Sequence, residues 1–115
     1  MAWVAAQEVR QELPNNGRGV TEAQLERFTD EGKDMVTLGD SASVETILGD
    51  RAVKAYAKAE ALKVMRAKGD PITPDEIRLA EEAADRFAAA YRMSTTTTAD
   101  DAGTNYKGIV METPW

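Results

Sequence analysis

The feature that most constrains the fold is a pair of helical segments joined by only a few residues. The second segment reads ITPDEIRLAEEAADRFAAAYR, in which Thr73 predicts the N-cap, Pro74 the first helical position and Glu76 the partner that completes a capping box. Gly69 and Pro71 end the first segment. A link this short favours antiparallel neighbours, so the sequence predicts a helical hairpin.

Apolar residues in both segments recur every three or four positions, which is typical of helices that pack on each other. In the second segment this seam consists of Ile77, Ala80, Ala84, Phe87 and Tyr91. In the first segment, for which Asp50 predicts the cap, the stripe is interrupted by Glu60 and consists of Val53, Tyr56, Ala57, Ala61, Val64 and Met65. The small seam residues favour close packing, and Phe87 is predicted to be buried between the helices.

The N-terminal half predicts two further helices. Residues 2–13 form a short amphipathic helix, which the turn-forming residues 14–17 end. Thr21 and Gln24 form a capping box at the start of the second helix, which ends before Gly39. Residues 35–50 are read as a helix end, a loop and one further helical turn, with a short hairpin as the less favoured alternative.

Large aliphatic and aromatic core residues are few for a chain of 115 residues, which has the length of one domain. Valine, isoleucine, leucine and phenylalanine together number 20, about 17% of the chain, whereas alanine alone numbers 19. Alanine favours helix but buries little area. The sequence therefore predicts an all-α fold, a small bundle of about four helices, that gains stability from neighbouring subunits.

The residue types that are missing exclude several classes of site. The chain has no cysteine and no histidine, so it has no disulfide, no thiolate zinc site and no imidazole base or ligand. We therefore expect no enzyme activity and no cofactor. A net charge of −6 argues against a dedicated nucleic-acid binder. No apolar run of membrane-spanning length and no leader is evident, which predicts a soluble intracellular product without a membrane partner.

Two rows of like charge lie at helical spacing. The basic row, for which a solvated face and a subunit or portal contact are the alternatives, consists of Arg51, Lys54 and Lys58. The acidic row, for which a solvated face is favoured over a hard-metal site, consists of Glu22, Glu26 and Asp30.

The last segment, residues 94–115, departs from the helical pattern. It begins with serine and four threonines, which are poor helix formers, and continues with turn-forming residues. It then has large apolar residues at Tyr106, Ile109, Val110, Met111 and Trp115. We predict a helical domain of residues 1–93 and an extended arm of residues 94–115 that binds a partner through these side chains, with a disordered end as the alternative.

The layout as a whole resembles the small head–tail connector, or adaptor, proteins of tailed viruses and bacteriophages. The resemblance is carried by the opening MAWVAAQEVRQEL, the capped helix at VTEAQLERF, the alanine-rich helical pair and the C-terminal arm. Residues 35–50 do not map onto that layout.

The resemblance implies a structural virion protein that is made in the host cytoplasm and placed in the neck between capsid and tail. Such a protein forms a homo-oligomeric ring, commonly a 12-mer, below the portal. It contacts the portal protein and a tail-side connector protein, and DNA passes through the ring without sequence-specific binding. The alternative interpretation is a small acidic inhibitor or antitoxin-like protein whose tail wraps a target protein.

Overall fold

The protein is a bundle of four α-helices in the part of the chain that the computed structural model describes, residues 3–40 and 42–103, with side chains as far as Ser94. The helices are α1 Ala6–Gln11, α2 Glu22–Thr37, α3 Ile47–Ala67 and α4 Pro74–Gly103, and a 3₁₀ turn, Pro14–Gly17, follows α1. No strand occurs among the described residues. The predicted all-α bundle with its α3–α4 hairpin is confirmed.

Helix α3 is the centre of the bundle. It packs against α2 on one side and α4 on another, and α1 lies against both α2 and α3. Its buried side chains therefore point in several directions, and they include Val53, Ala57, Ala59, Leu62 and Met65. The many alanines of α3 permit this arrangement, because a helix enclosed on several sides needs small residues where its neighbours approach.

Two helices begin where their capping boxes predict. The Thr21 hydroxyl accepts from the Gln24 amide at 3.1 Å, and the Gln24 side chain accepts from the Thr21 amide at 2.9 Å. Thr73 and Glu76 repeat this exchange at the start of α4, with distances of 3.2 and 3.0 Å. Each box satisfies backbone donors that the first helical turn leaves unpaired.

Helix α3 begins four residues earlier than predicted. Its N-cap is Thr46, whose hydroxyl accepts from the Gly49 amide at 3.2 Å, whereas Asp50 lies inside the first turn. Both residue types are good caps, and Thr46 is used because the helix includes Leu48, which packs against the core. The interpretation of residues 35–50 as a helix end, a loop and a helical turn is otherwise correct.

The seam of α4 also differs from the predicted one. Ala80, Ala84, Ala88 and Tyr91 are the buried residues, whereas Phe87 is only half-buried. The spacing of four, four and three follows the face that α4 turns toward α3. Phe87 lies beside that face, so its prediction as a buried seam residue was wrong.

Helix α1 is shorter than the predicted segment of residues 2–13. Val4 and Leu13 lie outside the helix but are buried. The apolar spacing in this segment therefore reflects which residues are buried, and not only which residues are helical. Beyond α1, the Arg10 guanidinium donates to the carbonyls of Asn16 at 3.0 Å and Val20 at 2.9 Å. These bonds hold the turn that leads into α2.

Helix α4 continues past Met93, where the arm was predicted to begin. Its backbone is helical to Gly103, so the first ten residues of the predicted arm belong to this helix. Extending an existing helix costs little per residue, and threonine disfavours helix by less than about 1 kcal/mol. The remaining predicted arm residues lie outside the described part of the chain: Tyr106, Ile109, Val110, Met111 and Trp115.

Candidate functional site

An open groove of about 550 Å³ runs between α3 and α4. Its floor is formed by small or buried side chains, Ala55 and Leu62 from α3 and Ala80 and Ala83 from α4. Alanines of both helices line the groove, and they leave space that larger side chains would fill. We call this feature the α3–α4 groove.

Two large apolar side chains border the α3–α4 groove without being covered. Leu79 is 58% exposed, and Phe87 is half-buried. A single exposed leucine is ordinary on a protein surface, but here the exposed side chains line a concave surface. Their position predicts that a partner covers the groove.

The predicted basic row forms the α3 rim of this groove. Lys54 lies 3.9 Å from a carboxylate oxygen of Glu8 and 3.9 Å from one of Glu12. Within the described part of the chain, neither Arg51 nor Lys58 forms an ion pair. The structure therefore brings all three cations to one groove and leaves two of them without an anionic partner there.

Two guanidinium groups lie close to the ring of Phe87. The Arg51 guanidinium carbon is 6.0 Å from the centre of the ring, and that of Arg86 is 5.2 Å from it. Guanidinium groups at such distances are attracted to the face of an aromatic ring. The contact holds positive charge next to the apolar wall of the groove.

The two carboxylates that line the groove interact with groups other than Arg51 and Lys58. Glu12 lies beside Lys54, and Glu76 accepts from the Thr73 amide in the capping box of α4. Neither forms an ion pair with Arg51 or Lys58 in the described structure. The groove therefore presents an apolar floor with a positive rim along α3, which suits apolar contact and ion pairing.

A second exposed apolar region lies where α2 ends and α3 begins. It consists of Leu38, Val44, Ile47 and Met93, which are 74%, 69%, 71% and 70% exposed. The Tyr91 hydroxyl donates to the Val44 carbonyl at 2.8 Å, and Arg92 donates to the Val36 carbonyl at 3.2 Å. These bonds bring α4 to this end of the bundle, which we call the apolar end.

Leu38 has an unusual backbone conformation. Its φ is 56°, and it caps α2 in the left-handed region that glycine or asparagine normally occupies. A leucine in this conformation is disfavoured, and its exposed side chain gains nothing from burial in a single chain. Contact with a partner at the apolar end would account for a leucine at this position.

The predicted acidic row lies along α2. Glu22, Glu26 and Asp30 lie on the exposed side of α2, beside a hollow of about 330 Å³ that the residues before α1 border. No group of three or more side chains suited to a metal ion occurs in the part of the chain that is described. The solvated-face interpretation is the one that this geometry supports.

Asp50 is the acid with the most perturbed environment. Burial, together with a hydrogen bond and the negative charge of Glu45, raises the pKa of Asp50 to about 6. One of its oxygens is buried without a hydrogen-bond partner among the described residues. The carboxyl of Asp50 therefore titrates closer to neutral pH than that of an ordinary aspartate.

Sequence reasoning found the basic row but missed Leu79 and the apolar end. The available signal for Leu79 was an apolar residue outside the heptad spacing, two positions after Ile77. Leu38 and Met93 carried no such signal, because their exposure depends on how three elements meet.

Comparisons of the chain with protein families, with curated proteins and with solved structures found no match. Among the described helices, none combines the length and the apolar character that crossing a bilayer requires.

Proposed function

We propose that this protein is a structural assembly protein of the head–tail connector type, which forms a ring below a viral portal. The observation that carries the proposal is the α3–α4 groove, a concave apolar surface on whose rim Arg51 and Lys58 form no ion pair with any described residue. A surface of this kind is suited to protein contact, and the small alanine-rich core gains stability from such contact.

The groove favours an interface between unlike surfaces. Two concave surfaces placed against each other would leave a gap. The groove therefore needs a different, projecting surface on its partner. Contacts between unlike surfaces produce rings when the rotation from copy to copy closes. The groove is therefore compatible with a homo-oligomeric ring, in which each copy offers its groove to the projecting surface of the next.

The apolar end provides a second contact surface for the same role. A connector subunit must contact its ring neighbours and also the portal protein or a tail-side connector protein. Leu38, Val44 and Ile47 are exposed at a different place from the groove, so both contacts can be made together. We assign the groove to ring contacts and the apolar end to the portal or tail-side partner.

The charge of the chain agrees with a DNA channel. A net charge of −6 and the exposed acidic row on α2 disfavour binding to phosphates. A ring with such a surface lets DNA pass without holding it, in the neck of a virion.

The experiment is a mass measurement on the full-length chain, alone and with the portal protein of the virus that encodes it. We expect a ring of many copies, which the variant Arg51→Glu with Lys58→Glu abolishes. The matched control is Arg18→Glu with Arg66→Glu, which changes the net charge equally at exposed positions outside the groove. The control should assemble like the wild type.

Two outcomes would contradict the proposal. A chain that stays monomeric both alone and with the portal protein is not a ring-forming connector. A tight complex of fixed low stoichiometry with one cellular protein would instead favour the inhibitor or antitoxin-like interpretation.

A further inference from the structure

The turn between α1 and α2 contains Asn16 and Gly17, the one place in the chain where glycine directly follows asparagine. Asparagine is chemically labile there, because glycine has no side chain to shield its backbone nitrogen. That nitrogen attacks Cγ of the asparagine side chain, so that a C–N bond forms and ammonia leaves. Water then opens the five-membered imide to aspartate or isoaspartate, which completes deamidation.

The backbone of Asn16 has a conformation that opposes this reaction, although its side chain is exposed to water. Its φ is 56° and its ψ is 29°, in the left-handed region. At this ψ the Gly17 nitrogen lies nearly opposite the Asn16 side chain about the Cα–C bond, so the nitrogen and Cγ cannot meet. Closing the imide ring requires a large rotation about that bond, which moves the peptide group between the two residues.

The Arg10 guanidinium holds this peptide group in place. It donates to the Asn16 carbonyl at 3.0 Å and to the Gly17 carbonyl at 3.3 Å, and its other terminal nitrogen donates to the Val20 carbonyl at 2.9 Å. Hydrogen bonds from a charged donor are stronger than those between neutral groups. The Asn16 carbonyl belongs to the peptide group that must rotate, so ring closure breaks its bond to Arg10.

Packing around Gly17 opposes the same rotation. Gly17 is buried, and a Cβ added there would lie 2.7 Å from a side-chain carbon of Leu13, which is itself buried. The Val20 amide donates to the Gly17 carbonyl at 2.9 Å. The rotation at Asn16 would move Gly17 out of these contacts, so the reaction requires that the turn first opens.

We propose that Asn16 is a site of spontaneous deamidation that Arg10 keeps closed while the turn is folded. Only molecules whose turn has opened react, so the rate of deamidation follows the fraction of open turns. The product adds a carboxylate to the turn, and its isoaspartyl form adds one carbon to the backbone. The turn follows Glu12 and includes Pro14, both of which line the α3–α4 groove, so deamidation alters one border of that groove.

The experiment compares the full-length chain with a synthetic peptide of residues 12–20 during incubation at mildly alkaline pH. Mass spectrometry of proteolytic fragments measures aspartate and isoaspartate at residue 16. We expect the full-length chain to react at least about tenfold more slowly than the peptide. Arg10→Leu should bring the rate of the full-length chain close to that of the peptide. The matched control is Arg18→Leu, which removes the same charge from an exposed position beside the turn and should react like the wild type.

Two results would overturn the inference. Equal rates for the full-length chain and the peptide would show that the folded turn gives no protection. Equal rates for Arg10→Leu and Arg18→Leu would show that Arg10 does not hold the site closed. Circular dichroism checks that each variant keeps its helices. If Arg10→Leu loses them, Arg10→Lys replaces it, since lysine keeps the charge but lacks the planar fork of donors; folded Arg10→Lys that reacts no faster than the wild type also overturns the inference.

Discussion

Small residues occur in the interfaces on both sides of α3, but they produce tight packing on one side and a groove on the other. Toward α2, Gly32 faces large partners: a Cβ added there would lie 3.1 Å from a ring carbon of Tyr56 and 3.3 Å from a side-chain carbon of Val53. Toward α4, alanines of both helices line the α3–α4 groove, which remains open. A small residue therefore allows tight packing when a large side chain lies opposite it. Where small residues line both sides of an interface, a gap remains.

Gly32→Leu should give the largest effect, because it places a branched side chain where even a methyl group is crowded. We expect a loss of about 3 kcal/mol in the free energy of unfolding. Urea unfolding followed by circular dichroism measures it. Ala23→Leu, on the exposed side of the same helix, is the control and should change stability little. Equal stability of the two variants would mean that α2 and α3 are not closely packed at Gly32.

Phe87→Ala should cost roughly 1–2 kcal/mol, since the ring is half-buried beside the groove. The matched variant Phe28→Ala removes a ring that is 4% exposed in the core, and it should cost about 3–5 kcal/mol. Chemical denaturation of both variants gives the difference directly. A larger loss for Phe87→Ala than for Phe28→Ala would show that the groove is closed over Phe87.

Asp50→Asn tests the side of α3 that faces α1, where a half-buried carboxyl, with one oxygen fully buried, takes the place of a small residue. The pKa of Asp50 is raised to about 6 from an ordinary value of 3.8, so its contribution to stability is full below about pH 4 and is lost as the pH rises through 6. Asparagine resembles the protonated carboxyl at every pH. The variant should therefore be more stable than wild type at pH 7.5, by roughly 1–2 kcal/mol.

That gain should disappear at pH 4, which thermal unfolding at the two pH values would reveal. Asp75→Asn serves as the control for the effect of a carboxylate in the first turn of a helix, because Asp75 is exposed at the start of α4. A gain for Asp50→Asn that is equal at both pH values would refute the buried proton.

Ala83→Leu should give the smallest change in stability, within about 0.5 kcal/mol of wild type, because its side chain extends into open space in the groove. The same substitution that is costly at Gly32 is thus tolerated at Ala83. If the groove is a contact site, filling it should weaken self-association several-fold, as measured by sedimentation at a series of concentrations. Strong destabilisation would show that the groove is not open in solution.

The starts of α2 and α4 were predictable because a capping box is a local structure. Thr73 and Glu76 bond across three residues, and no distant element takes part. The start of α3 was not predictable in this way. Thr46 and Asp50 are both suitable caps, and the packing of Leu48 against the core decides between them.

Of the candidate site, the basic row was predictable and the groove was not. Arg51, Lys54 and Lys58 share a helix face by their spacing alone. Whether that face borders a groove depends on α4, whose buried line passes through Ala88 and leaves Phe87 at the edge. Helical periodicity alone is compatible with either Ala88 or Phe87 in the seam, because consecutive residues lie on adjoining faces of a helix.

The sequence by itself determined the helical class, the capping boxes and the α3–α4 hairpin, because each depends on interactions within a few residues or on a short link. Only the tertiary structure decided which small residues are tightly packed and which line a groove, that α4 continues past Met93, and that Arg51 and Lys58 lie beside exposed apolar side chains without an ion pair among the described residues. The physical reason is that packing depends on which side chains oppose each other across two helices, and residue spacing along one helix does not specify its partner.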